Sequence, residues 1–260
     1  MITNSLHRTW AISRAEISLY VRNRSIALTA LLLTPVLVLA SSPVILREDT
    51  IVSAPTVVLQ LVMSMSLLMV VYYNLTVIFV ARREDGVFQR MDTGEATLET
   101  VVATTVPSAL VLLLQAGIGL VIVGFAARAW PITNPLLLLV ALLLAFAMFA
   151  AFGAFTSSFC RTVESAQYGA LPGFLFLYLI SGVIIPLQAF PEPIPSISAW
   201  SPMVAVNNLM ALSTGSNPAN GAEISFVDSW APATQPLAAL SLWLLIFAYS
   251  ARRYMRFNRR

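Results

Sequence analysis

The chain has 260 residues, 58% of them hydrophobic and only 10% charged, with a mean hydropathy of +0.82. A water-soluble domain carries about a quarter charged residues, so the composition excludes that class and reads as an all-α polytopic membrane protein. One cysteine, Cys160, excludes an internal disulfide and a cysteine-based metal cluster; one histidine, His7, excludes a histidine-built zinc site; and the net charge of +3, from fifteen arginines and no lysine, is too small and scattered to bind nucleic acid.

Residues 1–25 carry His7, Arg8, Arg14, Glu16, Arg22 and Arg24, while Leu6, Trp10, Ile17, Tyr20 and Val21 share one helical face. This pattern predicts an amphipathic helix in the membrane interface, with Trp and Tyr at headgroup level. A secretory signal peptide is the rival reading, but the charged part is too long and the apolar stretch behind it is long enough to span.

Six uncharged stretches follow, at about 26–46, 56–81, 100–127, 131–160, 165–187 and 229–251, the last beginning near Pro236. Each is of the length, roughly 20 residues, that a helix needs to cross the hydrocarbon. With the N-terminus placed in the cytoplasm, thirteen of the fifteen arginines fall inside and only Arg47 and Arg128 outside. The positive-inside rule therefore predicts six spans with both ends cytoplasmic.

The segment from Ala81 to Thr100 lies on the cytoplasmic side in this topology. Val87 and Met91 fall at i and i+4 with Phe88 beside them, flanked by Arg83, Glu84, Gln89 and Arg90. Two readings fit: a solvated loop between spans, or a short helix whose apolar ridge docks on another protein.

Between the fifth and sixth spans the chain carries six prolines, yet 193–222 holds no charge. That combination predicts short helices packed at the outer face, including one over about 200–214, rather than an exposed loop or a seventh span.

No charged residue lies in the middle of any span, which argues against an ion-coupled transporter. No HExxH and no Walker A motif occurs, so neither an intramembrane hydrolase nor an ATPase has a visible catalytic set. His7 reads as an interfacial surface residue and Cys160 as a cysteine at a membrane boundary. The second span is polar for its depth, with Gln60, Ser64, Tyr72, Tyr73 and Asn74 among interleaved methionines. These side chains either bond between helices or line a substrate path, and Tyr178 and Ser181 on the fifth span join them as path candidates. Gly169 and Gly173 form a GxxxG pattern that allows close helix packing, including dimer packing, although Pro172 sits inside it.

The run Arg83-Glu84-Asp85-Gly86-Val87-Phe88-Gln89-Arg90-Met91 resembles the coupling-helix pattern of the ABC-2 type ABC transporter permeases. The run Ser181-Gly182-Val183-Ile184-Ile185-Pro186-Leu187, followed by Phe190-Pro191 and Trp200-Ser201-Pro202, is similar to that family's exit from the fifth span into short re-entrant outer helices. Family members often carry proline soon after the coupling helix, where this chain has Asp92-Thr93-Gly94. The resemblance covers essentially the whole chain. It implies a connecting helix over 1–25 and a transmembrane domain over 26–260 with a coupling helix at about 83–92. It also implies a bacterial inner-membrane permease, paired with a second copy or a paralogue and bound to two ATP-binding subunits that hold ATP and Mg. Residues Arg83 to Met91 would transmit nucleotide-driven closure, and lipophilic substrates would leave between the second and fifth spans of facing protomers. The compact size looks most like the drug-export, daunorubicin-type branch. A polysaccharide or teichoic-acid exporter is the alternative within the family, and a membrane assembly or sensor protein the alternative outside it.

Overall fold

The computed structural model describes residues 9–18, 28, 32, 36, 39–40, 53–86, 97–127, 132–183, 187 and 191–254. The regular elements among these residues are all helices, joined by turns, with no strand and one isolated bridge between Ser216 and Glu223. Helix α1 covers 9–18. Helix α2 is continuous through Ala54–Met65, Ser66–Tyr73 and Asn74–Glu84. Then come α3 (Thr97–Ala127), α4 (Pro135–Ser157), α5 (Val163–Leu179), α6 (Ile194–Ser198), α7 (Pro202–Ser213) and α8 (Trp230–Tyr254).

Among the described residues, four helices are long and apolar enough to cross a membrane: α2, α3, α4 and α8. Helix α2 is the centre of the bundle. Its membrane-length segment is 72% buried, against 22% for α8, and it packs against α3, α4, α5 and α7. That centrality explains how a span can carry so many polar groups: they face protein rather than lipid. The apolar side chains of α4, α5 and α8 that remain exposed, such as Leu143, Phe176 and Leu245, form the lipid-facing surface of a membrane bundle.

The middle of α2 is wound wider than an α-helix. The Asn74 amide reaches back five residues to the Met69 carbonyl, and the π-helical winding extends over Ser66–Tyr73. Ser66 and Thr76 bond their hydroxyls to the carbonyls four residues earlier, Val62 and Tyr72, and so satisfy themselves inside the bundle. Gly153 of α4 packs against this segment; a Cβ there would lie 3.0 Å from the Tyr72 carbonyl oxygen.

Helix starts are set by local chemistry. Asn134 caps α4 by accepting from the Leu137 amide at 2.9 Å, while its amide nitrogen donates to Ser229 Oγ at the start of α8. Thr162 and Ser165 form a reciprocal capping box that opens α5.

The structure redraws two sequence-based boundaries. The span expected over 165–187 ends at Leu179, because the chain turns at Ile180–Gly182 with Gly182 at φ +79°, a left-handed conformation suited to glycine. Its 17 residues make α5 about 26 Å long, the short limit for a crossing. The last span begins at Trp230, not near Pro236, which is buried within α8. The outer helix expected over about 200–214 is α7, preceded by the short α6, and α7 is buried on nearly every side chain, against α8, α4, α2 and α5. The span expected over 26–46 lies outside the described residues except for Leu28, Leu32, Val36, Leu39 and Ala40, all of them helical and exposed.

Candidate functional site

Two polar constructions sit on α2, one at each end, with an open pocket between the second and its neighbours. Near the start of α2, Asn207 of α7 gathers three of the residues marked as path candidates. Ser64 Oγ donates to Asn207 Oδ1 at 2.8 Å, and Gln60 Nε2 donates to the Asn207 carbonyl at 2.9 Å. Asn207 Nδ2 in turn donates to the Ser181 carbonyl, also at 2.9 Å. All four residues are buried, so here the polar groups bond between helices rather than face a channel within the protomer. Asn207 was not among the sequence candidates; its only sequence signal is an Asn-Asn pair inside an apolar helix.

At the other end, α2 finishes in Arg82 and Arg83, and both arginines are engaged. Arg82 pairs with Glu16 of α1 at 2.5 Å, with side-chain exposures of only 20% and 10%. Arg83 donates one guanidinium nitrogen to the Ser157 carbonyl at 3.3 Å and another to the Cys160 carbonyl. A cation on the last carbonyls of α4 satisfies acceptors that the helix itself leaves open and matches the negative end of its dipole. Arg82 and Arg83 thereby tie α1, α2 and the α4–α5 turn into one junction. Arg83 and Glu84 belong to the last turn of α2 rather than to a separate coupling helix. Asp85 and Gly86 form the turn after it, with Gly86 at φ +68°. Val87, Phe88, Gln89, Arg90 and Met91 lie outside the described residues.

Between these ends, α2, α4 and α5 border an open pocket of about 400 Å³. Tyr72 forms one wall, stacked on Phe152 with ring centres 4.2 Å apart, its hydroxyl 3.2 Å from the Ala170 carbonyl and 3.3 Å from Thr156 Oγ1. The glycine pair of α5 makes close approaches inside the protomer. A Cβ on Gly173 would meet the Tyr72 hydroxyl at 2.5 Å, and one on Gly169 would meet Cys160 Sγ at 2.9 Å. Cys160, at the bottom, is a buried free thiol; burial pushes its pKa up and the nearby Arg83 guanidinium opposes this only in part. Of the remaining path candidates, Tyr73 and Asn74 are half-buried on α2, and Asn74 Nδ2 has no hydrogen-bond partner among the described residues. Tyr178 is half-buried on α5 and stacks with Phe174 at 5.9 Å.

A bundle of apolar helices around a buried central span, closed by arginines at one end, defines a multi-pass membrane protein. The ABC-2 type transporter family matches residues 7–213, and the chain belongs to that family. It is the membrane component of such a transporter rather than its ATP-binding domain, and the family implies association with an ATP-binding subunit. No curated protein matches the chain.

Proposed function

We propose that this chain is the permease subunit of an ABC exporter, moving a lipophilic, drug-like or lipid-linked substrate out of a bacterial cytoplasm with ATP hydrolysed by a separate subunit. The observation that carries the reading is the junction at the end of α2, in a chain of the ABC-2 type family. Arg82 and Arg83 connect α1 and the α4–α5 turn to the residue run 83–91, so force applied to that run would reach three elements together. The arginine asymmetry supports both termini being cytoplasmic. Six spans result if 26–46 and the short α5 cross with the four long helices. Helix α7, about 18 Å long and buried, suits a re-entrant element that does not cross. Two permease copies and two ATP-binding subunits holding ATP and Mg complete the transporter, in the daunorubicin-type branch.

The ridge Val87, Phe88 and Met91 is the docking surface in this reading, and burying a Phe in a partner groove is worth about 1.5–3 kcal/mol. Phe88→Ala should weaken capture of the ATP-binding subunit, and Glu84→Ala should uncouple ATP turnover from efflux. Pull-down, ATP hydrolysis and substrate efflux are measured for each variant at matched expression. If all three are unchanged in both variants, the run 83–91 is not the coupling element.

A further inference from the structure

We infer that the arginine-bearing ends of α4 and α8 form a binding site for the headgroup of an anionic phospholipid. The inference goes beyond the exporter reading and holds whatever molecule is carried. It starts from the exposed face of α8. Leu242, Leu245, Ile246 and Tyr249 are exposed and recur at helical spacing, and Arg252 and Arg253 continue the same stripe. From Leu242 to Arg253 the axis advances about 16 Å, about half the thickness of a hydrocarbon core. A phospholipid lying along the apolar stripe would therefore bring its phosphate to the two guanidiniums.

The end of α4 adds a third cation. Phe159 and Tyr254 hold their ring centres 6.1 Å apart, and Phe155 packs against both Phe159 and Phe247, so an aromatic seam joins the two helices down to their ends. Arg161 follows Phe159 by two residues and Arg253 precedes Tyr254 by one, so the seam finishes among cations. The backbone of Arg161 is pinned, its amide donating to Ser165 Oγ at 3.0 Å. All three guanidiniums are exposed, and none is ion-paired with a carboxylate among the described residues, the exposed Glu164 included. Arg82 and Arg83 differ, being occupied by Glu16 and by the Ser157 and Cys160 carbonyls. Three cations beside one exposed carboxylate leave the local charge positive, and guanidinium N–H groups match the oxygens of a phosphate. Tyr249 and Tyr254, exposed next to them, have the apolar ring and polar tip that suit the boundary between acyl chains and headgroups. A water-soluble protein partner could use the arginines, but it would gain nothing from an apolar stripe that runs half a membrane deep.

The full chain in mild detergent is titrated with dioleoyl phosphatidylglycerol and, separately, with dioleoyl phosphatidylcholine, and bound lipid is counted by native mass spectrometry. Arginines next to a membrane span attract anionic lipid, so phosphatidylglycerol is expected to bind about tenfold tighter. Arg161→Gln, Arg252→Gln and Arg253→Gln combined should cut that preference below about twofold, with phosphatidylcholine binding as in the parent chain, which shows that the variant is folded. Arg14→Gln, which removes an exposed cation of α1, should leave the preference unchanged. Glycerol phosphate, the headgroup without its acyl chains, should displace little of the bound lipid. Equal binding of the two lipids by the parent chain overturns the inference. So does a loss in Arg14→Gln as large as in the triple variant, which would mean attraction by total charge. Full displacement by glycerol phosphate also overturns it, in favour of a free-phosphate site. A triple variant that keeps the lipid preference but no longer captures the ATP-binding subunit overturns it in favour of the protein partner.

Discussion

Glu16 on α1 and Arg82 on α2 are ion-paired at 2.5 Å across 66 residues of sequence, and both are largely shielded. Removing Glu16 leaves Arg82, in a largely shielded position, with the longer 3.9 Å pairing to the exposed Asp85, a loss between the roughly 0–1 kcal/mol of an exposed pair and the 3–5 kcal/mol of a fully buried one. Glu16→Ala should therefore cost about 1–3 kcal/mol. The double exchange Glu16→Arg with Arg82→Glu should recover at least half of the loss, measured by denaturant unfolding in detergent. Full loss in the exchanged variant would mean that Arg82 acts through other partners.

Two glycines should respond in opposite directions to alanine. A Cβ at Gly153 meets the Tyr72 carbonyl oxygen at 3.0 Å and the Thr76 amide at 3.4 Å, both of them backbone, so α2 and α4 would have to separate. Overpacking of this kind costs about 1–3 kcal/mol. A Cβ at Gly117 meets nothing within 4 Å among the described residues, and alanine there gains about 0.5–1 kcal/mol of helix preference. Melting temperatures of Gly153→Ala and Gly117→Ala, taken side by side, check both signs.

The four long apolar helices are legible in the sequence because lipid requires long uncharged runs, and such runs carry their own signal. The arginine pair at 82–83 marks the end of α2 for the same reason. What joins these pieces is not local. Gln60 and Ser64 are visibly polar, but Asn207 lies 147 and 143 positions away from them, and nothing in either segment names the other. Arg83 reads as available for a partner until α4 brings the Ser157 and Cys160 carbonyls to it. The π-helical winding over Ser66–Tyr73 has no residue signature, since it differs from an α-helix in hydrogen-bond register rather than in composition. The early end of α5 is the partial case: Gly182 was in view, but its turn depends on Leu187 folding over it, 3.2 Å from where a Cβ would lie.

Cys160 should be a slow thiol with a shifted pH profile. Its pKa is raised by burial, and the thiolate is the reactive form, so less of it is reactive at neutral pH than for an ordinary cysteine. Alkylation should be slow at pH 7 and keep rising beyond the pH at which a free thiol levels off. Arg83→Leu removes the one favourable charge and should push the profile further up. A profile that levels off at or below the ordinary thiol range would show that Arg83 outweighs burial.

Asn207 offers the sharpest test of how α7 is held. Its side chain bonds Ser64 Oγ and the Ser181 carbonyl, so Asn207→Leu keeps the volume while leaving those two groups without it. The Gln60 bond survives, because it is made to the Asn207 backbone. The two losses are unequal. The Ser64 hydroxyl can rotate to the carbonyl four residues earlier in its own helix, as Ser66 does, and recover a partner. The Ser181 carbonyl sits at the turn after α5 and has no such alternative within the turn. Stranding a buried acceptor costs about 1–3 kcal/mol, while a single hydrogen bond between membrane helices averages about 0.6 kcal/mol. Asn207→Leu should thus cost about 1–3 kcal/mol; Ser64→Ala strands the buried Asn207 Oδ1 and should also cost about 1–3 kcal/mol in the parent chain, but less in the Asn207→Leu background, where that acceptor is gone. In a double-mutant cycle the coupling of the two should be about 0.5–1.5 kcal/mol. Hydrogen exchange should also speed up over 202–213 in Asn207→Leu, with the amides of α4 unchanged. If Asn207→Leu costs well under 1 kcal/mol and the exchange of α7 is unaffected, the Ser181 carbonyl is not what anchors α7, and the outer helix is held by its apolar packing alone.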